Sequence, residues 1–368
     1  MKNLLIFHSA LAPYRLDFFN TLADNYNCHI VFLSRNNRNQ PFNQKELLSK
    51  ARFTYSFMDI KIVIKNRDFN IGYLYHIIKY KPDIIIGGEY GLPVLIPYFY
   101  KKLFRQKYTI YTICDDSLKI AQECKGIRAK LRSYLVHKLD GFIFISSQVS
   151  QWYKENFKIK KKIIVFPIIK EENNYQLQLK KSLPISISFQ DKFKLKGKKI
   201  ILYIGRLTEV KNLNLLINAY KQIANPNYTL ILVGEGNQKK QLQEKVQKLN
   251  LSNQVLFVGR YEGNELYAWY NLANIFVLPS VYEPFGAVTA EALQAGCPVL
   301  CSQNAGSAEL IKNNINGHLF DPQNENQLAI LLKEYINNAP NINLNQIRSS
   351  ILITTFESCK NKLIQSLK

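Results

Sequence analysis

Acidic residues are in short supply in this chain. Of 368 residues, 27 are Asp or Glu against 49 Lys or Arg, a formal charge of +22 at pH 7. The deficit is uneven, with 30 basic and 14 acidic residues in 1–190 but 19 and 13 in 191–368. Such an excess in one half points to an anionic partner there, whether phosphate-rich lipid, acidic glycan or nucleic acid. A coding bias towards lysine and asparagine would give the same numbers with no partner. The six cysteines, Cys28, Cys114, Cys124, Cys297, Cys301 and Cys359, lack metal-ligand spacing, so free buried thiols in a reducing, cytoplasmic setting are expected. Long apolar runs are missing as well. The run after Asn3 lasts four residues before His8, too short for a signal-peptide core. The most apolar window, residues 84–100, holds Glu89, three glycines and two prolines, and reads as strand, loop and helix start. What remains is a chain with 47% hydrophobic residues, enough for packed cores, and a length that suits two domains.

Short β-branched runs alternate with amphipathic segments almost throughout, the pattern of parallel α/β units. In the first half, strands are expected at residues 4–7, 29–33, 83–86, 108–113, 142–145 and 163–166, with helices at 14–23, 128–138 and 148–156. In the second half, strands are expected at 200–204, 229–233, 255–258, 275–278, 299–301 and 318–320, with helices at 213–223, 239–249 and 287–295. Residues 170–198 lose periodicity between Pro167 and Pro184 and read as a linker. The predicted domains are therefore 1–180 and 181–345, followed by a helical segment over 346–367. No internal repeat interrupts this order.

In parallel α/β sheets, ligands sit at the carboxyl ends of the strands, where loops and helix starts supply donors. Three loops of the second half meet that condition. After the strand 200–204, Gly205 permits a tight exit, and Arg206 and Lys211 set two cations near a helix start, suited to a diphosphate; a solvated loop would carry the same letters. Gly234-Glu235-Gly236 lacks the third glycine of a dinucleotide fingerprint and reads as a tight turn. The third loop, Pro279 to Gly286, is the most informative. It places Glu283 in a rigid Pro-containing turn and Glu291 about a turn and a half into the helix that Gly286 opens. Glu283 then falls near the sugar end of a ligand, and Glu291 is placed to accept from vicinal ribose hydroxyls.

The string Glu283-Pro284-Phe285-Gly286, with Glu291 and then Ala295-Gly296-Cys297-Pro298-Val299, resembles glycosyltransferase family four, the retaining group with the GT-B fold. The resemblance covers residues 198–322, taking in Gly205-Arg206, Lys211-Asn212, Leu232 to Gly236, Phe257-Val258-Gly259, Gly306 and Asn316-Gly317. It implies two Rossmann-like domains with parallel sheets facing across a cleft, and a nucleotide sugar, UDP- or GDP-linked, as co-substrate with no cofactor and no metal. Arg206 and Lys211 would hold the diphosphate and stabilise the leaving nucleotide. Glu283 would contact the transferred sugar, with backbone donors from Phe285 and Gly286 beside Pro284, and Glu291 would bind the ribose. Val258, Gly259 and Arg260 would lie against the base. The last helix would cross back to the first domain.

The first half matches less of the pattern. Ala12-Pro13-Tyr14-Arg15 before Phe18-Phe19 resembles a bacterial subgroup that builds surface polysaccharides, which implies a glycan or glycolipid acceptor such as lipid-linked oligosaccharide or lipopolysaccharide. Where many members have a histidine, this chain has Asp115-Asp116. These two, with His8 and Arg15, are the acceptor-side or sugar-contact candidates; a helix-capping pair and a core histidine fit the same residues. The segment 125–135 sets Lys125, Arg128 and Arg132 along one helical side and Ile127, Leu131, Tyr134 and Leu135 along another. With Lys101, Lys102, Arg105 and Lys107, that side is a candidate for peripheral contact with anionic membrane, and equally for a solvated face. A soluble acceptor stays open. A nucleic-acid-binding protein is the competing class, but no reading motif and no interleaved aromatic platform accompanies the charge, so no nucleic-acid partner is expected.

Overall fold

The computed structural model describes residues 1–36, 41–59, 61–64, 67–70 and 72–367. It divides into two units, Met1–Ile168 with Glu357–Lys368, and Ile169–Phe356.

The first unit is built on strands β1 (Asn3–His8), β2 (Asn27–Phe32), β3 (Thr54–Phe57), β6 (Ile84–Gly88), β7 (Thr109–Cys114), β8 (Gly141–Phe144) and β9 (Lys162–Val165). These form one parallel sheet in the order β3-β2-β1-β6-β7-β8-β9. A separate antiparallel pair, β4 (Lys61–Ile64) and β5 (Arg67–Asn70), branches off after β3. Neither β3 nor this pair is anticipated above; β3, at the sheet edge, exposes Thr54 and Tyr55 and carries little hydrophobic signal. The central strands are apolar on both faces, as strands covered on both sides must be: Leu5, Ile6, Phe7, Ile85 and Ile86 are inaccessible to solvent.

The second unit holds β10 (Lys199–Ile204), β11 (Tyr228–Val233), β12 (Val255–Gly259), β13 (Ile275–Leu278), β14 (Val299–Ser302) and β15 (Gly317–Phe320), all parallel, in the order β12-β11-β10-β13-β14-β15. Counted from β10 this is 3-2-1-4-5-6, the doubly wound Rossmann order. All six strands fall where alternation placed them. One core face gathers Tyr203, Leu216, Ile217, Tyr220, Leu232 and Leu332, each fully buried.

Two stretches differ from expectation. Residues 170–198 are not a linker but two helices, Glu172–Lys181 and Leu183–Lys192, and both belong to the second unit. Their hydrophobic periodicity is faint because few residues, among them Tyr175, Leu179 and Phe189, do the packing, while Ser182, Ser186 and Asn271 tie them to the neighbouring helix with buried hydrogen bonds of 3.0–3.3 Å. The unit boundary accordingly precedes the expected one. The segment 346–367 is helical only over Phe356–Leu367. Before it, Arg348 donates to the carbonyls of Ala273 and Tyr270, both at 2.6 Å, and Ile351 N–H to Leu293 O at 2.9 Å. Those bonds hold the strap extended against the second unit. From Glu357 on, the helix groups with the first unit, where Leu363 is fully buried and Lys162 Nζ donates to Ser366 O at 2.9 Å.

Candidate functional site

In a doubly wound sheet the strand order reverses between the first and fourth strands, and the crevice above their carboxyl ends is the natural ligand position. In the second unit that point lies between β10 and β13. The loops leaving these two strands are the ones that carry Gly205-Arg206 to Lys211 and Ser280 to Gly286.

The two loops meet through charge. Lys211 Nζ pairs with Glu283 Oε2, and Ser280 Oγ donates to the same oxygen at 3.3 Å. Both charged side chains are mostly buried, so each offsets the other's desolvation. Arg206 is exposed beside them in sequence. Its carbonyl accepts from Tyr203 Oη at 2.9 Å, which fixes the turn from below. The loop architecture depends on glycines for close approach. A Cβ on Gly234 would lie 1.8 Å from Gly205 O, and one on Gly236 would lie 2.2 Å from Leu207 O. The Gly234-Glu235-Gly236 turn, read above as punctuation only, is therefore the surface on which the Gly205 loop rests, and Leu207 N–H donates to Glu235 O at 3.0 Å.

On the other side, Gly286 has φ 91°, and a Cβ there would approach Leu278 to 2.7 Å. Ser307 N–H donates to Phe285 O at 2.7 Å and Gly306 N–H to Glu283 O at 3.2 Å. These bonds fix Glu283 and bury Phe285, leaving Pro284 exposed. The helix Ala287–Gln294 then starts with first-turn N–H groups that have no partner within the helix. Glu291, in that helix, is held by two partners: Tyr270 Oη donates to Oε2 at 2.9 Å, and Lys170 Nζ lies 3.2 Å from Oε1. Lys170 is missed by the sequence reading, since it sits among the residues taken for linker. Val258 and Gly259 end β12, two strands from the switch point, and Arg260 follows it, exposed and paired with Glu262.

The first unit has its own switch point, between β1 and β6. His8 ends β1 and donates from Nδ1 to Ala10 O at 3.1 Å, its ring edge-on to Phe19. Burial, with the Arg15 charge next, lowers its imidazole to about 4, so it is neutral at pH 7. Arg15 is 1% exposed and pairs with Asp115. Asp116 is buried, and Arg128 bonds at 2.6 Å to both Asp116 Oδ1 and Glu89 Oε2. Glu89 follows β6 with φ 61°, a strained conformation for a residue with a side chain. Thr112 Oγ1 holds it by donating to its carbonyl at 2.6 Å. Burial and the charge of Asp116 push the Glu89 carboxyl up to about 7. Glu89 is also missed by the sequence reading; its signal was its position directly after an apolar run. Glu89, Cys114 and Asp116 offer ligand atoms within 4.8 Å of one another, but the Arg128 guanidinium already bridges the two carboxylates. The structure thus brings His8, Arg15, Asp115 and Asp116 to one end of one sheet.

The helix over 125–135 departs from the expected amphipathic split. In Gly126–Leu135, Arg132 is buried, donates to Ala121 O at 2.7 Å and lies over the rings of Trp152, Tyr153 and Phe157. Arg128, though partly exposed, is engaged by the acids, and of the apolar residues Ile127 and Tyr134 are exposed. Cation–π contact and the Ala121 carbonyl accommodate Arg132 on the buried side, although its Nε is buried without a hydrogen-bond partner. Among the described residues, no helix is long and apolar enough to cross a membrane.

Residues 185–349 match the family described as glycosyl transferases group 1. An uncharacterized glycosyltransferase of Methanocaldococcus jannaschii is 38% identical over 145 residues, 39% of this chain and 36% of that protein. Alpha-monoglucosyldiacylglycerol synthase of Streptococcus pneumoniae is 25% identical over 311 residues, 80% of this chain and 63% of that protein. The matches thus span less than two thirds of either relative's length. Among solved structures, HepE of Anabaena, crystallised with UDP, superposes with a TM-score of 0.73 at 18% identity, covering 98% of this chain and 95% of that one. The two parallel-sheet α/β units are those of the GT-B fold, and residues 185–349 are similar to the group 1 glycosyltransferases, as the loop motifs are to family four.

Proposed function

We propose that the chain is a retaining glycosyltransferase. It moves a hexose-type sugar from a UDP- or GDP-linked donor to a glycan acceptor borne on lipid-linked oligosaccharide or lipopolysaccharide, without a metal ion. The observation that carries this reading is the Lys211–Glu283 pair at the β10/β13 switch point, in a loop that also holds the exposed Arg206. Two cations there match the charge that grows on a departing diphosphate. The bond from the sugar's anomeric carbon to the phosphate oxygen breaks as the acceptor oxygen attacks from the same face. The acceptor's proton passes to the departing phosphate. Glu283 accepts from hydroxyls of the transferred sugar, Phe285 and Gly286 offer backbone N–H groups, and Glu291 accepts from the ribose. Val258, Gly259 and Arg260 flank the base. In the first unit, His8, Asp115, Asp116 and Glu89 offer acceptor-side polar groups, and Arg15, buried, acts by orienting Asp115.

A lipid-borne acceptor is favoured by the similarity to an alpha-monoglucosyldiacylglycerol synthase and by one surface of the first unit. On and after the helix Leu92–Leu103, Phe99, Leu103 and Phe104 are exposed among Lys102, Arg105 and Lys107, an apolar and cationic mixture suited to the inner face of an anionic membrane.

The test is a panel of UDP- and GDP-sugars read by thermal shift and donor hydrolysis, with EDTA present in one arm. One donor is expected to raise the melting temperature and be hydrolysed with or without EDTA, and Lys211→Ala and Glu283→Ala are expected to lose the hydrolysis. If no donor stabilises the wild type and both variants match it, the donor-site reading is wrong. For the acceptor side, sedimentation with phosphatidylglycerol vesicles should fall on Leu103→Glu; unchanged sedimentation, or none by the wild type, would favour a soluble acceptor.

A further inference from the structure

The group 1 match begins at residue 185, yet Glu291 is tied to a residue that precedes it. Lys170 Nζ lies 3.2 Å from Glu291 Oε1, and the two side chains are 12% and 11% exposed. The same ammonium donates to Tyr267 Oη at 3.2 Å and lies over the rings of Tyr267 and Tyr175 at 5.3 and 5.7 Å. Its backbone is held as firmly as its side chain. Gln294, 1% exposed and one turn on from Glu291, accepts from Lys170 N–H at 3.2 Å and donates to Lys170 O at 2.8 Å. Tyr175 Oη donates to the Glu291 carbonyl at 3.0 Å, which joins the same segment to the same helix a third time. A lysine whose backbone is clamped at both its N–H and its carbonyl has little freedom in where it presents its charge.

We propose that Lys170 is a positioning residue for nucleotide recognition: it fixes the Glu291 carboxylate in the rotamer that receives the ribose diol. This rests on the reading of Glu291 as the ribose ligand. A carboxylate has about four acceptor sites. Lys170 takes one on Oε1 and Tyr270 one on Oε2, so each oxygen keeps a site for one of two neighbouring hydroxyls. The ammonium also offsets the cost of keeping a carboxylate in a largely closed site, which an apolar side chain at 170 would not do. Specificity for a ribose over a sugar without hydroxyls then depends on a residue outside the matched module.

The experiment compares affinity for UDP and for GDP with affinity for the 2′,3′-dideoxy form of each, by calorimetry, in wild type, Lys170→Met, Lys170→Arg and Glu291→Gln. The quantity read is the preference for the ribose form, so a general loss of charge or of folding cancels. Lys170→Met is expected to lower that preference on the order of tenfold, the size of a lost hydrogen bond to a charged group, and Lys170→Arg to keep most of it. If Glu291→Gln loses the preference and Lys170→Met keeps it in full, the role of Lys170 is overturned while the ribose site stands. If Lys170→Met weakens both forms equally, Lys170 is structural and the proposal also fails. If Glu291→Gln prefers the ribose form as the wild type does, the reading of Glu291 is at fault. If neither nucleotide binds the wild type, the donor site itself is misassigned.

Discussion

The two sheets share one strand order around their switch points, yet the loops above those points carry opposite chemistry. Above β10 and β13 stand Arg206 and Lys211, with glycines packing backbone on backbone. Above β1, β6 and β7 stand three carboxylates, Glu89, Asp115 and Asp116, two of them bridged by one arginine and the third paired with another. One scaffold thus presents cations suited to a phosphate and, in its other copy, acceptor oxygens suited to hydroxyls. The difference also has a structural side. The second-unit loops are fixed largely by backbone hydrogen bonds and close glycine contacts, the first-unit loops by side-chain ion pairs. Substitutions of the charged side chains should therefore act mainly on chemistry in the second unit and mainly on stability in the first.

The sharpest test of that contrast is Lys211→Ala. It removes a cation from the leaving group and strands Glu283 in a mostly buried position; kcat/KM should fall by about 10³, with the loss mainly in kcat. An equal loss from Asp115→Asn would erase the distinction between the two sites. Next comes Asp115→Ala, which leaves Arg15 charged, 1% exposed and without its carboxylate. Denaturant unfolding of the first unit should show about 3 kcal/mol of destabilisation. Asp115→Ala paired with Arg15→Met should recover part of it, and no recovery would mean that the pair is not what holds the loop.

A smaller effect is expected from Gly286→Ala. The residue has φ 91° and a Cβ would meet Leu278 at 2.7 Å, so a cost of about 1–3 kcal/mol is expected, read as a lower melting temperature. Donor hydrolysis should fall with it, because Glu283 and Phe285 hang on the same turn. The smallest is a pH effect, reduced by solvent at the Glu89 side chain, which is 40% exposed. Glu89 has a folded value of about 7, raised above its ordinary 4.5 by burial and by Asp116. Its favourable contribution is fully present below about 4.5 and is lost as pH rises through about 7. First-unit stability should decline across that window and level off above it, and Glu89→Gln should flatten the decline. A slope of the same size in the variant would assign the titration to another group.

Legibility differed between the same two regions. All six strands of the second sheet were readable, because buried parallel strands are near-continuous apolar runs bounded by Gly, Pro and Asn. The spacing of Glu283 and Glu291 was readable because the Pro-containing turn and the helix that follows it are both local features. Lys170 was not, because its partner lies more than a hundred residues away and the helices around it pack through few side chains and several buried hydrogen bonds. Arg132 was misplaced for a related reason: periodicity assigns a charge to the outer face, and only the facing Trp152, Tyr153 and Phe157 make the inner face acceptable to it.

The sequence by itself determined the alternation of strand and helix, the glycine-bearing loops and the spacing of Glu283 and Glu291, since each is a local property of neighbouring residues. Only the tertiary structure decided which loops share a switch point, which glycines are required by a backbone alongside, and which cations meet Glu283, Glu291, Glu89 and Asp116. Those outcomes depend on the order in which strands assemble into sheets, and that order brings together residues that no local pattern connects.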